Sequence, residues 1–259
     1  MLKFDKLMQV LDGYAPLALS KLMIENGSYD NSGAIVKCGE NVNKILFSLD
    51  LSKESVKKAI ELKCDCIVTH HPAIYHPIKN LLIGTENQPL LDAIKGGISI
   101  ISMHLNLDIA DYGVDYWLAK ALCDGEHKIL SLTDNTHGYG REFKCEKDLL
   151  DLVECVKSSL GTQKVIAYGS GETKVVASFC GGGASHALEQ VLTFGTSADT
   201  IITSDMAHHE LKELIEKDKK VVIIPHYASE DYGFNKFYQS VIAKLGDAQT
   251  YYFQDKRFM

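Results

Sequence analysis

The 259-residue sequence contains seven cysteines but no Cys-x-x-Cys pair. That excludes a zinc ribbon, and the odd count at scattered positions argues against a disulfide framework. The thiols read as reduced ones in a cytoplasmic protein. No segment reaches the ~20 apolar residues of a transmembrane helix. The opening MLKFDKLMQVLDGYAPLAL has early acidic residues and a broken apolar pattern, unlike a secretory signal. Basic residues are not in excess: 27 Lys and Arg stand against 34 Asp and Glu, for a net charge of −7. Neither a nucleic-acid-binding surface nor a membrane partner is expected from this balance. Hydrophobic residues make up 46 % of the chain, enough for a full core.

Apolar runs and helical spacing alternate along the chain. Helical spacing marks 3–12 and 17–25. KILFSLDLS (44–52) reads as a buried strand, and Ser52 then caps a helix KESVKKAIELK with Glu54 in its first turn. CDCIVTHHP (64–72) is the next strand, stopped by Pro72, with Cys64 and Cys66 on one face as core. A helix over 86–96 ends at Gly96-Gly97, the strand GISIISMH (97–104) follows, and a helix lies around 113–122. The second half repeats this rhythm. A helix over 148–161 is followed by strands at 174–180, 198–205, 220–226 and 250–254, with helices at 184–194, 206–218 and from Asp231. The alternation predicts an α/β fold with a largely parallel sheet.

The halves also resemble each other. DCIVTHH at 65–71 matches DTIITSD at 199–205, and His104-x-x-x-Asp108 matches His226-x-x-x-Glu230. This repeat predicts two similar α/β lobes, 1–127 and 128–259, with a metal-lined cleft between them that the 226–230 segment completes. Three of the apolar runs end in imidazoles or carboxylates: His70-His71, His104 with Asp108, and His226 with Glu230. A single such cluster reads as polar residues satisfied at a strand end. Three of them at the carboxyl ends of strands, where open α/β sheets form ligand crevices, read as one metal site. Mixed N/O donors admit Zn, Mn, Fe, Co or Ni. A spacing of four places His226 and Glu230 on one face if a helix opens there. Gly181-Gly182-Gly183 looks like a phosphate-cradling loop but lacks the P-loop lysine and the spaced dinucleotide-binding glycines, and a tight turn explains it as well.

In order and spacing, a larger set of segments resembles one known family over nearly the whole chain. The segments are YDNSGAIV (29–36), THHP (69–72), HLNLD (104–108), the glycine turn, TSDMAHHE (203–210) and HYASE (226–230). The family is that of GTP cyclohydrolase I type 2 homologues, also called NGG-interacting-factor-three-like dinuclear metal proteins. The resemblance implies two divalent ions per chain, ligated by His70, His71, Asp108, His226 and Glu230. It also implies a homo-oligomer, commonly a hexamer. The sequence departs from the family pattern at Leu105, often Thr, and at Ser204 and Pro225, often Gly, but keeps every ligand position.

His104 and His209 accompany the site and are candidates for proton transfer or substrate positioning, and Asp205 for orienting His209 or binding substrate through water. Asp205 reads nearly equally well as a helix cap, and His209 as a residue on that helix's outer face. Asn31 reads as a turn residue or as one reaching the cleft. Two divalent ions against two carboxylates leave excess positive charge, which suits a small anionic ligand such as a nucleotide. The expected function is that of a metal-dependent hydrolase acting on a nucleotide or phosphorylated small molecule. The alternative is a non-catalytic metal-binding structural or regulatory protein.

Overall fold

The computed structural model describes residues 1–259. The elements begin with β1 (Leu2–Lys3), α1 (Phe4–Tyr14), α2 (Leu17–Glu25), β2 (Gly33–Val36), β3 (Asn41–Val42) and β4 (Lys44–Ser48). There follow α3 (Lys53–Leu62), β5 (Cys66–Thr69), α4 (Gln88–Lys95), β6 (Ser99–Ser102), α5 (Leu105–Asp108) and α6 (Val114–Leu122). Next come β7 (Lys128–Leu132), β8 (Gly138–Asp148), α7 (Leu149–Leu160), β9 (Ile166–Tyr168), β10 (Glu172–Ser178) and α8 (Ala184–Glu189), which runs into a π-helical turn (Gln190–Phe194). The chain closes with β11 (Thr200–Thr203), α9 (His208–Glu216), β12 (Lys220–Ile223), α10 (His226–Ile242) and β13 (Gln249–Phe253).

The protein is α/β and divides into two compact units: Met1–Ala110 with Phe234–Asp255, and Asp111–Gly233 with Lys256–Met259. The sequence reading drew a single boundary at 127/128. The difference arises because β13 returns to the first unit, where it pairs in parallel with β4. Helix α10 is one uninterrupted element whose residues 226–233 are counted with the second unit and 234–242 with the first.

The first unit holds a five-stranded sheet in the order β13-β4-β5-β6-β2, parallel except for β2 at one edge. Leu46, Ile67 and Ile100 from three parallel strands pack on Val56 and Ala59 of α3 and on Leu90 and Ala93 of α4. Side chains buried in this way each contribute about 1.5–3 kcal/mol for the larger aliphatics. Ser52 caps α3 as expected. Its hydroxyl accepts from Ser55 N at 3.1 Å, and Ser55 Oγ accepts from Ser52 N at 2.8 Å, a reciprocal capping box. Cys64 and Cys66 are buried in this core.

The second unit holds a six-stranded sheet in the order β7-β8-β10-β11-β12-β9, with β10, β11 and β12 parallel and the flanking strands antiparallel. Here Ala177, Ile201 and Val221 pack against Ala187 and Leu214. Strands β7, β8 and β9 lie outside the sequence reading. In β8 the inward position 141 is an arginine, ion-paired to the buried Asp115 at 3.1 Å. The arginine replaces one apolar residue of the inward row, which otherwise alternates through Phe143 and Cys145 between Glu142, Lys144 and Glu146.

The internal repeat corresponds to equivalent hydrogen bonds in the two parallel trios, β4-β5-β6 and β10-β11-β12. Asp65, just before β5, accepts from Lys44 N at 3.0 Å through its carboxylate and from Ser99 N at 2.9 Å through its carbonyl. Asp199, just before β11, accepts from Lys174 N at 2.9 Å and from Lys220 N at 2.9 Å in the same two ways. After the middle strands, Met103 N donates to Thr69 O at 2.8 Å and Ile224 N to Thr203 O at 3.0 Å. No helix is long and apolar enough to cross a membrane.

Candidate metal centre

Because β4, β5 and β6 are parallel, their carboxyl ends lie along one edge of the sheet. Asp50 follows β4, His70 and His71 follow β5, and His104 follows β6. His70 is fully buried, and its Nδ1 donates to the carbonyl of Met103 at 2.8 Å. A carbonyl only accepts, so Nδ1 carries a proton and Nε2 is the nitrogen turned away from that anchor. His71 Nδ1 is 2.7 Å from Asp50 Oδ1, and His104 Nδ1 is 2.8 Å from Asp30 Oδ1. Each of the three rings is thus held at one nitrogen by an oxygen acceptor. One ring nitrogen from each lies within 4.8 Å of the others. The Asp108 carboxylate stands 3.3 Å from His70 Nε2.

Asp108 ends the short helix α5, with His104 as its N-terminal flanking residue. Asp108 turns to His70, while His104 turns to Asp30. Asp30 is buried and also accepts from Ser20 Oγ at 2.5 Å and Ser32 Oγ at 2.7 Å. Ser32 Oγ in turn accepts from His104 N at 3.1 Å. Burial alone would raise the Asp30 pKa; the hydrogen bonds from His104, Ser20 and Ser32 outweigh it and hold the carboxyl below its ordinary range.

In the second unit His226 is the first residue of α10, which begins five residues earlier than the sequence reading placed it. The first helical bond runs from Ser229 N to Pro225 O at 3.0 Å. His226 and Glu230 consequently sit one turn apart, with Nε2 of His226 3.1 Å from Glu230 Oε1. On the other side, His226 Nδ1 makes a short hydrogen bond to Asp205 Oδ2. Burial would lower the His226 pKa, but the hydrogen bond and charge of Glu230, followed by those of Asp205, raise it to about 9. Two carboxylates around one imidazole favour a cation at that position, whether a proton or a metal ion.

Asp205 follows β11 in the left-handed conformation, with φ of 49°. It is not the cap of α9, whose N-terminal flanking residue is Ala207, with Glu210 accepting from Ala207 N at 2.8 Å. His209 is exposed on the first turn of α9. Gly181, just after β10, has φ of +55° and faces Glu230 and His226 of the same unit. Its N–H donates to Ser229 Oγ at 2.9 Å. The glycine turn therefore makes room for a carboxylate. Asn31 Nδ2 donates to Ile74 O at 2.6 Å and so ties two segments together instead of holding its own turn.

The donor set fits borderline divalent ions. Imidazoles whose distal nitrogen is anchored to a carbonyl or carboxylate are the arrangement that fixes tautomer and ring direction at metal sites. Asp30, Asp50 and the Met103 carbonyl supply that anchoring, and none of them was singled out from sequence. Asp50 closes the strand run KILFSLD, and Asp30 lies within YDNSG, so the signal available was their place beside recognised motifs. A backbone carbonyl leaves no sequence signal.

Parallel strands ending in oriented imidazoles and carboxylates define an α/β protein with a candidate metal-binding group. The chain belongs to the Duf34/NIF3 (NGG1p interacting factor 3) family, whose model matches residues 2–255. It is 28 % identical over 257 residues to NGG1-interacting factor 3 of Saccharomyces cerevisiae, covering 88 % of this chain and 86 % of the yeast protein. It is 27 % identical over 237 residues to the GTP cyclohydrolase 1 type 2 homolog of Clostridium perfringens, covering 88 % and 87 %. Among solved structures, reduced HcgD from Methanocaldococcus jannaschii superposes with a TM-score of 0.80 at 25 % identity, over 98 % of both chains. A Bacillus cereus protein related to NIF3 shares the fold, with a TM-score of 0.85 at 18 % identity over 98 % of this chain and 97 % of that one.

Proposed function

We propose that this protein binds two divalent metal ions through His70, His71, Asp108, His226 and Glu230. On this reading it acts as a metal-dependent hydrolase on a nucleotide or another phosphorylated small molecule, in the manner implied by the name of its GTP cyclohydrolase 1 type 2 homologues. The observation that carries the proposal is the anchoring of His70 and His71 at Nδ1 by the Met103 carbonyl and by Asp50, with the Asp108 carboxylate 3.3 Å from His70 Nε2.

Bound divalent ions supply an acidified water and polarise the electrophile opposite it. The chain's own residues do the rest. Asp50 and the Met103 carbonyl keep His71 and His70 in the tautomer that offers Nε2. Asp205 does the same for His226. Gly181 leaves the space that the Glu230 carboxylate fills. His104, held by Asp30 and only 15 % exposed, is placed to take or return a proton. His209, exposed on α9, and Asp205 are assigned to substrate positioning. The metal is one of Zn, Mn, Fe, Co or Ni. The protein is proposed to be cytoplasmic and homo-oligomeric, a hexamer by family resemblance, with neither a membrane nor a nucleic acid as partner.

Elemental analysis of the purified protein beside a His71→Ala/Glu230→Ala variant tests the proposal, followed by hydrolysis assays on nucleotides and phosphoesters with each metal restored. About two ions per chain, lost in the variant together with turnover, is the expected result. Full metal content without turnover on any substrate would replace the hydrolase by a structural or regulatory metal protein. Absence of metal from the wild-type protein would refute both.

A further inference from the structure

We propose that Tyr29, Tyr75 and His76 form an aromatic platform that stacks the base of a nucleotide beside the imidazole cluster. The inference rests on the hydrolase reading of that site and specifies its substrate class. All three residues belong to the first unit. Tyr29 and Tyr75 are 44 % and 42 % exposed. Their centroids are 5.1 Å apart at 68°, and the His76 ring lies 4.8 Å from Tyr29 and 4.7 Å from Tyr75. Tyr75 also meets His104 edge-on at 6.0 Å and 87°. His104 is 5.4 Å from His70 and 5.8 Å from His71, ring to ring. A continuous row of rings therefore leads from solvent to the candidate donors.

The platform is fixed at both ends. The Asn31 side chain donates to Ile74 O at 2.6 Å and staples the 29–31 segment to the 73–76 loop. Between Tyr29 and Asn31, the buried Asp30 is held by Ser20, Ser32 and His104. Rings fixed before binding lose little freedom when a ligand arrives. Half-exposed tyrosines against a histidine offer π-faces and edges but few directional polar groups, which suits a planar heterocycle and gives a bare sugar phosphate nothing to stack on. A ligand whose ring rests on Tyr75 extends its remaining groups over His104, where the proposed chemistry takes place.

Equilibrium dialysis of the metal-loaded protein against GMP, AMP and ribose 5-phosphate tests this, with metal content measured in every sample. The variants are Tyr29→Leu/Tyr75→Leu, which removes the rings, and Tyr29→Phe/Tyr75→Phe, which keeps them. Base stacking on aromatic side chains predicts that the nucleotides bind about 10-fold or more tighter than ribose 5-phosphate. The leucine variant should keep its metal and its ribose 5-phosphate affinity but lose that advantage; the phenylalanine variant should retain it. Equal affinity for the three ligands, no nucleotide binding, or an advantage that survives in the leucine variant would overturn the platform. Absence of metal from the wild-type protein would instead refute the metal reading, and the nucleotide to ribose 5-phosphate ratio would still decide whether the rings stack a base.

Discussion

Gly181 stands where any side chain would displace the Glu230 carboxylate. A Cβ built on Gly181 overlaps Glu230 Oε1 and comes to 3.3 Å from His226 Nε2. The backbone there, at φ +55°, also disfavours other residues. Gly181→Ala is therefore expected to lower metal content without touching a proposed ligand. It should also cost stability by about 1 kcal/mol from the left-handed conformation alone. Elemental analysis and a thermal melt read the two effects separately. Unchanged metal content would show that the Glu230 position is not needed for binding.

Asp50 touches His71, a proposed metal ligand, and is not itself proposed as one. Its Oδ1 is 2.7 Å from His71 Nδ1, and its side chain is 40 % exposed, so little fold stability depends on it. Asp50→Ala should weaken metal affinity by about 10- to 100-fold, as losses of such anchoring partners do. Asp50→Asn, which keeps an acceptor oxygen, should lose less. Competition with a chromogenic chelator measures both. Equal losses in the two variants would mean that the carboxylate's charge, and not its hold on the ring, is what matters.

The ion pair between Arg141 and Asp115 is a stability device of the second unit. Both side chains are nearly or fully buried, at 3.1 Å. Removing one partner leaves an uncompensated buried charge, so Arg141→Met should cost about 3–5 kcal/mol in urea unfolding. Arg141→Met/Asp115→Leu should recover much of that loss, because apolar replacement of a whole buried pair is often neutral. A double variant as unstable as the single one would place the loss in packing and not in charge.

Burial also sets the thiol chemistry. Cys66 is completely buried, and burial pushes its thiol far above the ordinary range; burial, then the charge of Asp65, pushes Cys64 up to about 11. Cys38 is exposed. At pH 8 an aromatic disulfide reagent should label Cys38 in the native protein and leave Cys66 untouched until denaturant is added. Alkylation of Cys64 should keep rising about tenfold per pH unit from 8 to 10, since the thiolate is the reactive form and the pH stays below its pKa. A plateau below pH 10 would show a thiol more acidic than its burial implies.

The parallel trios were legible in the sequence because buried parallel strands read as unbroken apolar runs, as in CIVT and TIIT. Their helices were legible from caps such as Ser52 and stops such as Gly96-Gly97. Strand β8 carried a weak signal because only Phe143 and Cys145 mark its inward row, which is completed by an arginine whose partner, Asp115, lies 26 residues away. The domain boundary was hidden because the pairing of β13 with β4 joins residues some 200 apart. The imidazoles and acids were readable as clusters at strand ends. What each ring leans on was not, since Asp30, Asp50 and the Met103 carbonyl approach from other loops. His104 shows the limit most clearly. Its four-residue spacing to Asp108 says nothing of Asp30, the carboxylate that its Nδ1 meets at 2.8 Å.

His104 is also where the proposed roles of metal donor and proton carrier divide. It is grouped with His70 and His71 within 4.8 Å, which is close enough for a ligand, yet it alone has its anchoring carboxylate buried and hydrogen-bonded to two serines. A ring braced in this way keeps one orientation while its charge changes, because a buried carboxylate stabilises the imidazolium as it forms. His104→Gln should retain about two ions per chain and lose turnover by about 10²- to 10⁴-fold, the range for a positioned acid or base. Asp30→Asn should show a smaller loss of the same kind, together with a shifted pH profile, because the carboxylate charge that supports the imidazolium is gone. Loss of an ion in His104→Gln would move the residue into the ligand set, and the proton transfer would then have to be sought at His209.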